Sequence, residues 1–404
     1  MNKSKNAIII LYSIFFIFLN INLLKAEEIK VGIETENTFT TFRMQSIIGR
    51  WQIKLENTNN KAIKTINEEI NTEDHAVIML ISKGIIVKFS SGFFYEEGYN
   101  KITISDGELI SLEFPGKSPK LLQGNLEVSL IDDELSVINK ISIDKYTISC
   151  ASSEVISCEP EAVKAQIIAV ESKIHYLKEH SKHPKDPYDV CDGSHCLKFQ
   201  GTGFNRELVE LLYPTIQNHL LYYKNKIIYP RYHHTCGGKI SSAEDVYGTK
   251  EEPYHLSHND IKDSKGSENC FHSPSFHWTV EIQTSSIADF LSLEFAGGAD
   301  NIYINWIPIK INNEGRILMM RIIGRKVKEI SGIEFLKNLQ NFYGLNSIKS
   351  MRFTLEPLRR SILIRGMGEG DGVGMCLFGA DGLAKKGLNY KEILQFYYPG
   401  TTLK

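Results

Sequence analysis

Several carboxylate, cysteine and histidine side chains lie in short motifs whose residue types and spacing indicate possible chemistry. Glu154 lies just ahead of a predicted helix, among small and apolar residues. A carboxyl group that is partly desolvated there would have a raised pKa and could donate a proton. The alternative is an exposed carboxylate that interacts with the positive end of the helix dipole. This segment alone leaves both interpretations open.

A second motif, DVCDGSHCLKFQG, combines thiols with imidazoles. Cys191 and Cys196 have four residues between them, His195 is adjacent, and His183 lies upstream. Thiolates and imidazoles are the ligands that zinc takes in tetrahedral sites. The spacing is wider than the usual two-residue knuckle, so in an exported protein a local disulfide competes with the metal site.

A third motif, YHHTCGG at residues 232–238, places two histidines and a cysteine before two glycines. It is typical of a tight turn with a buried cysteine, and Cys236 could also form a disulfide with Cys270. A nucleophilic pair of Cys236 with His233 would need a third, orienting group. The chain has seven cysteines, an odd number, so in an oxidising compartment at least one stays free, binds metal or cross-links to another chain.

Glycine occupies every second position from Gly366 to Gly374. Because fixing glycine costs backbone entropy, this block predicts unusual dihedral angles or very close approach by another group. It follows a predicted strand, Ser361–Arg365, and precedes a helix, so a phosphate-binding loop has to be considered. The block has neither the dinucleotide-binding spacing nor the Lys-Ser/Thr of a Walker loop, which argues against a nucleotide.

The first 26 residues predict export. Lys3 and Lys5 precede an apolar run, Ala7–Leu24, and the segment ends at Ala26 before acidic residues. This is the pattern of a signal peptide cleaved after Ala26, with an uncleaved membrane anchor as the alternative. Loss of its three lysines changes the formal net charge from -2 to -5, and no basic cluster follows, so nucleic acid is not an expected partner.

The elements that must position these motifs are both strands and helices. Residues 27–120 read as short strands separated by polar turns, including 76–81 and 84–89, and predict a β-rich module. A hairpin at 126–138 then leads into a helix. Pro160 begins an amphipathic helix in which apolar residues recur at spacings of three and four through Leu177.

The remaining chain predicts further helices and strands. Residues 206–221 are interpreted as a helix and residues 278–282 as a strand. Asn389 and Glu392 form a capping pair for a last helix, which Pro399 ends.

Taken in order, these segments resemble the stage II sporulation protein D family (SpoIID/LytB domain). The resemblance covers residues 121–404 and implies an α+β fold, with a SpoIID-like core, the amino-terminal β-rich module and an inserted middle region. The matching motifs are DKYTISCASSE, EAVKAQ, CDGSHC, HHTCGGKISSAEDVYG, GIEFLKNLQNFYGLNSIKSMRF, GDGVGM, FGADGLAKKG and YKEILQFYYPGTTL.

The better-studied members of this family are lytic transglycosylases of peptidoglycan, and the resemblance implies the same activity here. It implies that Glu154, eight residues after Tyr146, is the catalytic acid and then base, with the sugar's own 6-hydroxyl as nucleophile. Ordinary glycosidases instead use a second carboxylate. The expected partners are peptidoglycan glycan strands and a cell-wall amidase. The implied substrate-binding residues are Lys164, Gln166, His233, Asp371 and Cys376; the implied ligands of a structural zinc are His183, Cys191 and Cys196, with His195 as an alternative or fourth ligand.

The chain departs from the family pattern at several cleft positions. Glu171 stands where the family usually has arginine, and Leu197 replaces the glutamine after the second cysteine of the CDGSHC box. In the glycine block, Asp371, Cys376 and Leu377 replace histidine, serine and glutamine. Asp371 could act as an extra carboxylate, or the cleft could bind glycan without cleaving it, as an amidase enhancer would. A third hypothesis is an anchored scaffold that uses its amino-terminal module.

Overall fold

A computed structural model of the chain describes residues 27–57, 64–82, 84–92, 94–157, 159–193, 195–201, 206–261, 266–287, 305–323, 327–344 and 348–404. The predicted export signal and Cys158 lie outside these residues. Within the described ranges, no helix has the length and apolar character needed to cross a membrane. The chain divides into two compact units, Met1–Tyr146 with Ser181–Gly201, and Thr147–His180 with Thr202–Lys404.

The first unit is built from β-strands. They are β1 Glu28–Ile33, β2 Thr41–Ile48, β3 Trp51–Asn57, β4 Lys64–Ile70, β5 His75–Ile81, β6 Gly84–Phe89, β7 Phe94–Tyr99, β8 Lys101–Ser105, β9 Leu109–Glu113, β10 Lys120–Leu122, β11 Asn125–Ile131, β12 Glu134–Ser142 and β13 Val190–Cys191. The predicted strands at 76–81 and 84–89 are confirmed as β5 and β6.

These strands form two sheets, in the orders β13-β1-β12-β11-β8-β3-β4 and β10-β9-β2-β5-β6-β7. From Phe42 to Ser46 of β2 every second side chain is buried, as expected for a sheet with one covered face. The predicted hairpin is confirmed: β11 and β12 pair antiparallel up to Ile131↔Glu134. Its turn residues, Asp132 and Asp133, have φ values of 49° and 63°, which aspartate tolerates better than most residues.

Helices in the described part of the chain include α1 Ile143–Glu154, α2 Pro160–Glu179, α3 Arg206–Leu212, α4 Ala243–Tyr247, α5 Gly332–Tyr343, α6 Leu377–Lys385 and α7 Tyr390–Tyr397, with a 3-10 turn at Tyr213–Thr215. The predicted helix from Pro160 is confirmed, with its apolar face buried. The capping box of α7 is also confirmed, since Asn389 and Glu392 each accept from the other's backbone N–H.

The strands of the second unit are β14 Leu221–Tyr223, β15 Lys226–Ile227, β16 Tyr232–His233, β17 Lys239–Ile240, β18 His258–Asn259, β19 His277–Gln283, β20 Asn305–Ile311, β21 Ile317–Ile323, β22 Val327–Ser331, β23 Phe353–Pro357, β24 Ser361–Met367, β25 Met375–Cys376 and β26 Thr402–Leu403. β19, β24 and β23 form one antiparallel sheet, and β20, β21 and β22 form another. Trp278, Trp306 and Phe335 lie in one buried cluster with residues from both sheets and α5. The α+β fold class is therefore confirmed.

The predicted helix at residues 206–221 is wrong over its second half. α3 ends at Leu212, where a 3-10 turn containing Pro214 takes over. Proline has no N–H to donate to the preceding turn, so it interrupts the helix. Asn218 then has a left-handed φ of 66°, which excludes a continuing right-handed helix.

Candidate active site and metal centre

Glu154 is the last residue of α1, and its side chain is half-buried with atom Oε2 shielded from solvent. The neighbouring serine hydroxyls turn back onto the helix: Ser152 donates to the carbonyl of Ile148 at 2.6 Å, and Ser153 to that of Ser149 at 2.8 Å. Both serine hydroxyl protons are therefore used within the helix.

Tyr232 lies beside this carboxyl group. Burial raises the pKa of Tyr232 well above its ordinary value, and the neighbouring Glu154 raises it further. Tyr232 is therefore a neutral phenol at physiological pH. Since Tyr232 begins the YHHTCGG motif, the structure brings the helix that carries Glu154 next to the histidine turn.

The histidine turn pairs directly with the glycine block. β16 runs parallel to β25, with His233 opposite Cys376, and isolated bridges join Thr235 to Glu369 and Ser241 to Val373. The expected unusual dihedrals are confirmed, because Gly368, Gly370, Gly372 and Gly374 all have φ between 73° and 101°. The fifth glycine, Gly366, allows close approach instead: a Cβ there would lie 2.0 Å from the indole ring of Trp278.

His233 is held as a neutral imidazole within this pairing. Its ring is buried, and Nδ1 lies 3.0 Å from the carbonyl oxygen of Val373, so Nδ1 carries the proton and donates it. Burial lowers the pKa of His233 more than the nearby charge of Asp371 raises it. Nε2 is then an acceptor, and it has no hydrogen-bond partner among the described residues.

Asp371 is engaged with its own loop. It accepts a hydrogen bond from the hydroxyl of Tyr247 at 2.5 Å and from the backbone N–H of Val373 at 3.0 Å, and it lies 3.8 Å from Nδ1 of His233. These contacts fix the glycine block. A carboxylate with this many fixed partners is better suited to holding the loop in place than to exchanging protons with a substrate.

The other predicted substrate-binding residues lie in different settings. Lys164 forms an ion pair with Glu161 one helical turn away, at 2.8 Å. Gln166 is buried in α2, and its Nε2 has no hydrogen-bond partner in the described part of the chain. Cys376 is fully buried and caps α6 by accepting from the N–H of Gly379 at 3.3 Å.

The structure also groups four polar residues that the sequence motifs did not single out together. Glu369 accepts from the hydroxyl of Ser275 at 2.6 Å and lies 3.4 Å from Nδ1 of His234 and 3.8 Å from Nζ of Lys349. Glu369 is part-exposed and two residues before Asp371. Its only sequence signal is its place in the glycine block, because Ser275 and Lys349 come from distant segments.

An ion pair fixes the segment that leads into β16. Arg231 donates from Nε and Nη2 to the two carboxylate oxygens of Glu252, at 2.7 and 2.8 Å, and Nδ1 of His255 lies 2.8 Å from the same carboxylate. Burial alone would raise the pKa of Glu252. Hydrogen bonds from His255 and Arg231 outweigh burial and lower that pKa to about 2.

We expect Glu252→Gln to destabilise the folded chain by about 2 kcal/mol at pH 7, after allowance for partial solvent screening of the pair. Because the folded-state pKa lies below that of the unfolded chain, this stabilisation is present above about pH 4.3 and is lost as the pH falls toward 2. Urea unfolding at several pH values measures the difference. The control is Glu251→Gln, at the exposed neighbouring position. If the effect of Glu252→Gln did not change with pH, the lowered pKa of Glu252 would be contradicted.

The predicted zinc ligands converge in the first unit. His183, Cys191, His195 and Cys196 each offer a ligand atom, and these atoms all lie within 4.8 Å of one another. Nε2 of His183 is 3.1 Å from Nε2 of His195 and 3.4 Å from Sγ of Cys196, while Sγ of Cys191 is 3.5 Å from Nε2 of His195. Two thiols and two imidazoles in this arrangement fit a tetrahedral zinc ion.

Comparisons with known proteins agree with the motifs. Residues 131–222 match the SpoIID family model, described as stage II sporulation protein. The chain is 26% identical over 282 residues to stage II sporulation protein D of Bacillus subtilis, covering 66% of this chain and 75% of that protein. It is also 26% identical over 392 residues to an uncharacterized protein of Brachyspira hyodysenteriae, covering 91% and 95% of the two chains.

A shorter match is to an amidase enhancer of Bacillus subtilis, 42% identical over 65 residues, which covers 16% of this chain and 9% of that protein. The match of residues 131–222 and the similarity to stage II sporulation protein D confirm the resemblance to the SpoIID family that the motifs predicted.

Proposed function

We propose that this protein is a cell-wall enzyme, a peptidoglycan lytic transglycosylase that cleaves between N-acetylmuramic acid and N-acetylglucosamine. The observation that carries the proposal is the position of Glu154, half-buried beside Tyr232 at the edge of the histidine turn. A general acid that must later act as a base is favoured by such a partly desolvated position.

In this mechanism Glu154 first donates its proton to the glycosidic oxygen. The bond from that oxygen to C1 of the muramic acid breaks, and the N-acetylglucosamine leaves with a free hydroxyl. The carboxylate then removes the proton from the muramic acid's own 6-hydroxyl, whose oxygen bonds to C1 and closes a 1,6-anhydro ring. Glu154 ends protonated as it began, and no water is consumed.

The surrounding residues have positioning roles in this proposal. Tyr232 stays neutral beside Glu154, so it adds no second charge to the cleft. His233 holds the histidine turn against the glycine block through its hydrogen bond to the carbonyl of Val373. The loop fixed by Asp371 forms the adjoining wall. A single carboxylate suffices because the substrate itself supplies the nucleophile that hydrolytic glycosidases take from a second carboxylate or from water.

A second candidate function is enhancement of a cell-wall amidase by a chain that binds glycan without cleaving it. The match to the amidase enhancer and the engagement of Asp371 within its own loop favour it. In either case we propose that the chain is exported, with residues 1–26 as its signal or anchor; amino-terminal sequencing of the protein recovered from the cell envelope distinguishes the two.

Digestion of insoluble peptidoglycan separates the two candidate functions. The purified protein is incubated with the cell wall, the wall is sedimented, and the soluble fraction is examined by mass spectrometry. If the chain is a transglycosylase, the soluble fraction should contain fragments whose new ends are lighter than hydrolysed ends by the mass of one water molecule. Sedimentation of the protein with the wall, without soluble fragments at high protein load, would instead support the amidase enhancer.

We also propose that His183, Cys191, His195 and Cys196 hold a structural zinc ion. Asp186 supports this ligand set, because its Oδ2 lies 2.9 Å from Nδ1 of His183 and so leaves Nε2 as the atom that faces the thiols. A carboxylate that orients a histidine in this way is a common partner of zinc ligands.

We expect Asp186→Asn to weaken zinc binding by about 10–100-fold, since the asparagine keeps the shape but loses the charge. Competition with a coloured zinc chelator measures the affinity. Asp133→Asn, in an exposed turn of the same unit, is the control and should leave the affinity unchanged. Purified chain without this zinc ion, together with a mapped disulfide joining Cys191 to Cys196, would refute the metal site.

A further inference from the structure

A second group of thiols lies in the second unit, away from the proposed zinc ligands in sequence. Cys236, Cys270, Cys376 and Asp260 are all buried, and one ligand atom from each lies within 4.8 Å of the others. We call this group the thiol cluster. Sγ of Cys236 is 3.4 Å from Sγ of Cys270 and 3.1 Å from Oδ2 of Asp260.

The four residues come from separate parts of the chain. Cys236 lies in the histidine turn, Asp260 and Cys270 bracket the segment after β18, and Cys376 ends β25 and caps α6. Their convergence is therefore a product of the fold and not of a local motif.

Hydrogen bonds from surrounding groups fix the orientation of the side chains in the thiol cluster. Oδ1 of Asp260 accepts from the hydroxyl of Tyr397 at 2.8 Å and from the amide of Asn269 at 3.0 Å. This leaves Oδ2 as the oxygen that faces the sulfur atoms. The backbone N–H of Gly238 donates to Sγ of Cys236 at 3.3 Å, as that of Gly379 does to Cys376. Outer partners of this kind fix ligand orientation in metal sites.

We propose that the thiol cluster binds a single zinc ion through the three cysteines and Asp260. Three soft thiolates with one carboxylate suit zinc, and ligand atoms this close to one another suit one ion better than a polynuclear cluster. Arg316 and Arg352 interact electrostatically with Cys236, so positive charge lies near the negative ligands.

The geometry favours metal over a disulfide. In a tetrahedral zinc site the sulfur atoms are about 3.8 Å apart, as follows from a Zn–S distance of 2.3 Å. A disulfide would need about 2.05 Å. The separation of 3.4 Å between Cys236 and Cys270 is closer to the zinc arrangement. A disulfide between these two would also leave the Cys376 thiol and the Asp260 carboxylate buried beside it without a shared partner.

Such an ion would fix the walls of the proposed cleft. Cys236 lies two residues after His234, and Cys376 is the β-sheet partner of His233. One zinc ion would therefore tie the histidine turn to the end of the glycine block. This inference does not depend on the proposed enzymatic function, because metal content is measured without substrate.

Zinc content, determined by elemental mass spectrometry, tests the proposal. In a C191S/C196S variant, which lacks the first ligand set, we expect one zinc ion per chain. Adding Cys376→Ser should remove it and lower the thermal unfolding midpoint; serine can still cap α6, so loss of the cap is not the cause. Cys150→Ser in the same background is the control, because Cys150 is buried outside the cluster, and it should keep its zinc.

A folded C191S/C196S variant without zinc, or with a different metal, would overturn the proposal. If that variant fails to fold, the unmodified chain is tested by alkylation instead. After chelation and denaturation without reductant, all three thiols of the cluster should be alkylated. A linked peptide joining Cys236 to Cys270 would instead overturn the metal site.

Discussion

Glu154→Gln is expected to lower the rate of release of 1,6-anhydro fragments by about 10²–10⁴-fold, the usual contribution of a general acid–base group. Glutamine keeps the size of the side chain but can neither donate a proton to the glycosidic oxygen nor take one from the 6-hydroxyl. Because both steps use the same carboxyl group, no neighbouring residue is expected to restore the rate. The measurement is the initial rate of release of soluble fragments from cell wall.

Two controls separate loss of chemistry from loss of structure. Glu179→Gln makes the same substitution at an exposed position near the end of α2 and should retain the full rate. Sedimentation with the insoluble wall should be unchanged in Glu154→Gln, since binding does not need the proton. An undiminished rate in Glu154→Gln would remove this residue from the mechanism.

Gly374→Ala is expected to destabilise the folded chain by about 3 kcal/mol. This is the largest effect on stability that we expect from a substitution in the glycine block. A Cβ atom at this position would lie 2.0 Å from the carbonyl oxygen of Arg231. That oxygen belongs to the backbone just before β16, so it cannot turn away as a side chain would. The substitution must move β25 away from β16 and with it the end of the glycine block.

Gly248→Ala is a closely matched control for this substitution. Both glycines have a φ of 73°, so both alanines carry the same left-handed strain, but nothing lies within 4 Å of a Cβ at Gly248. We expect Gly248→Ala to cost about 1 kcal/mol, from the backbone conformation alone. Urea unfolding of the two variants measures the difference, and equal costs would show that β16 and β25 are not in close contact at Gly374.

Local patterns predicted the elements whose signals lie within one short segment. The Asp132-Asp133 turn, the helix from Pro160 and the capping pair of Asn389 with Glu392 each depend on neighbours in sequence, and each is confirmed. The predicted helix at 206–221 is wrong over its second half because Pro214 ends the regular hydrogen bonding.

The candidate site was only partly predictable, because its residues come from segments that are far apart in the sequence. The motifs supplied Glu154, His233 and the glycine block, but the position of Tyr232 beside Glu154 depends on contacts between segments far apart in the chain. The same holds for Glu369 with Ser275 and for the thiol cluster. A single sequence shows which side chains could do chemistry, whereas long-range pairing decides which of them meet.

Digestion of cell wall in heavy-oxygen water tests the central claim most directly, that Glu154 activates the sugar's own hydroxyl and not a water molecule. The fragments released by the unmodified protein should carry no heavy oxygen at their new ends and should be anhydro sugars. Incorporation of one heavy oxygen atom at each new end would show hydrolysis and contradict the proposed role of Glu154.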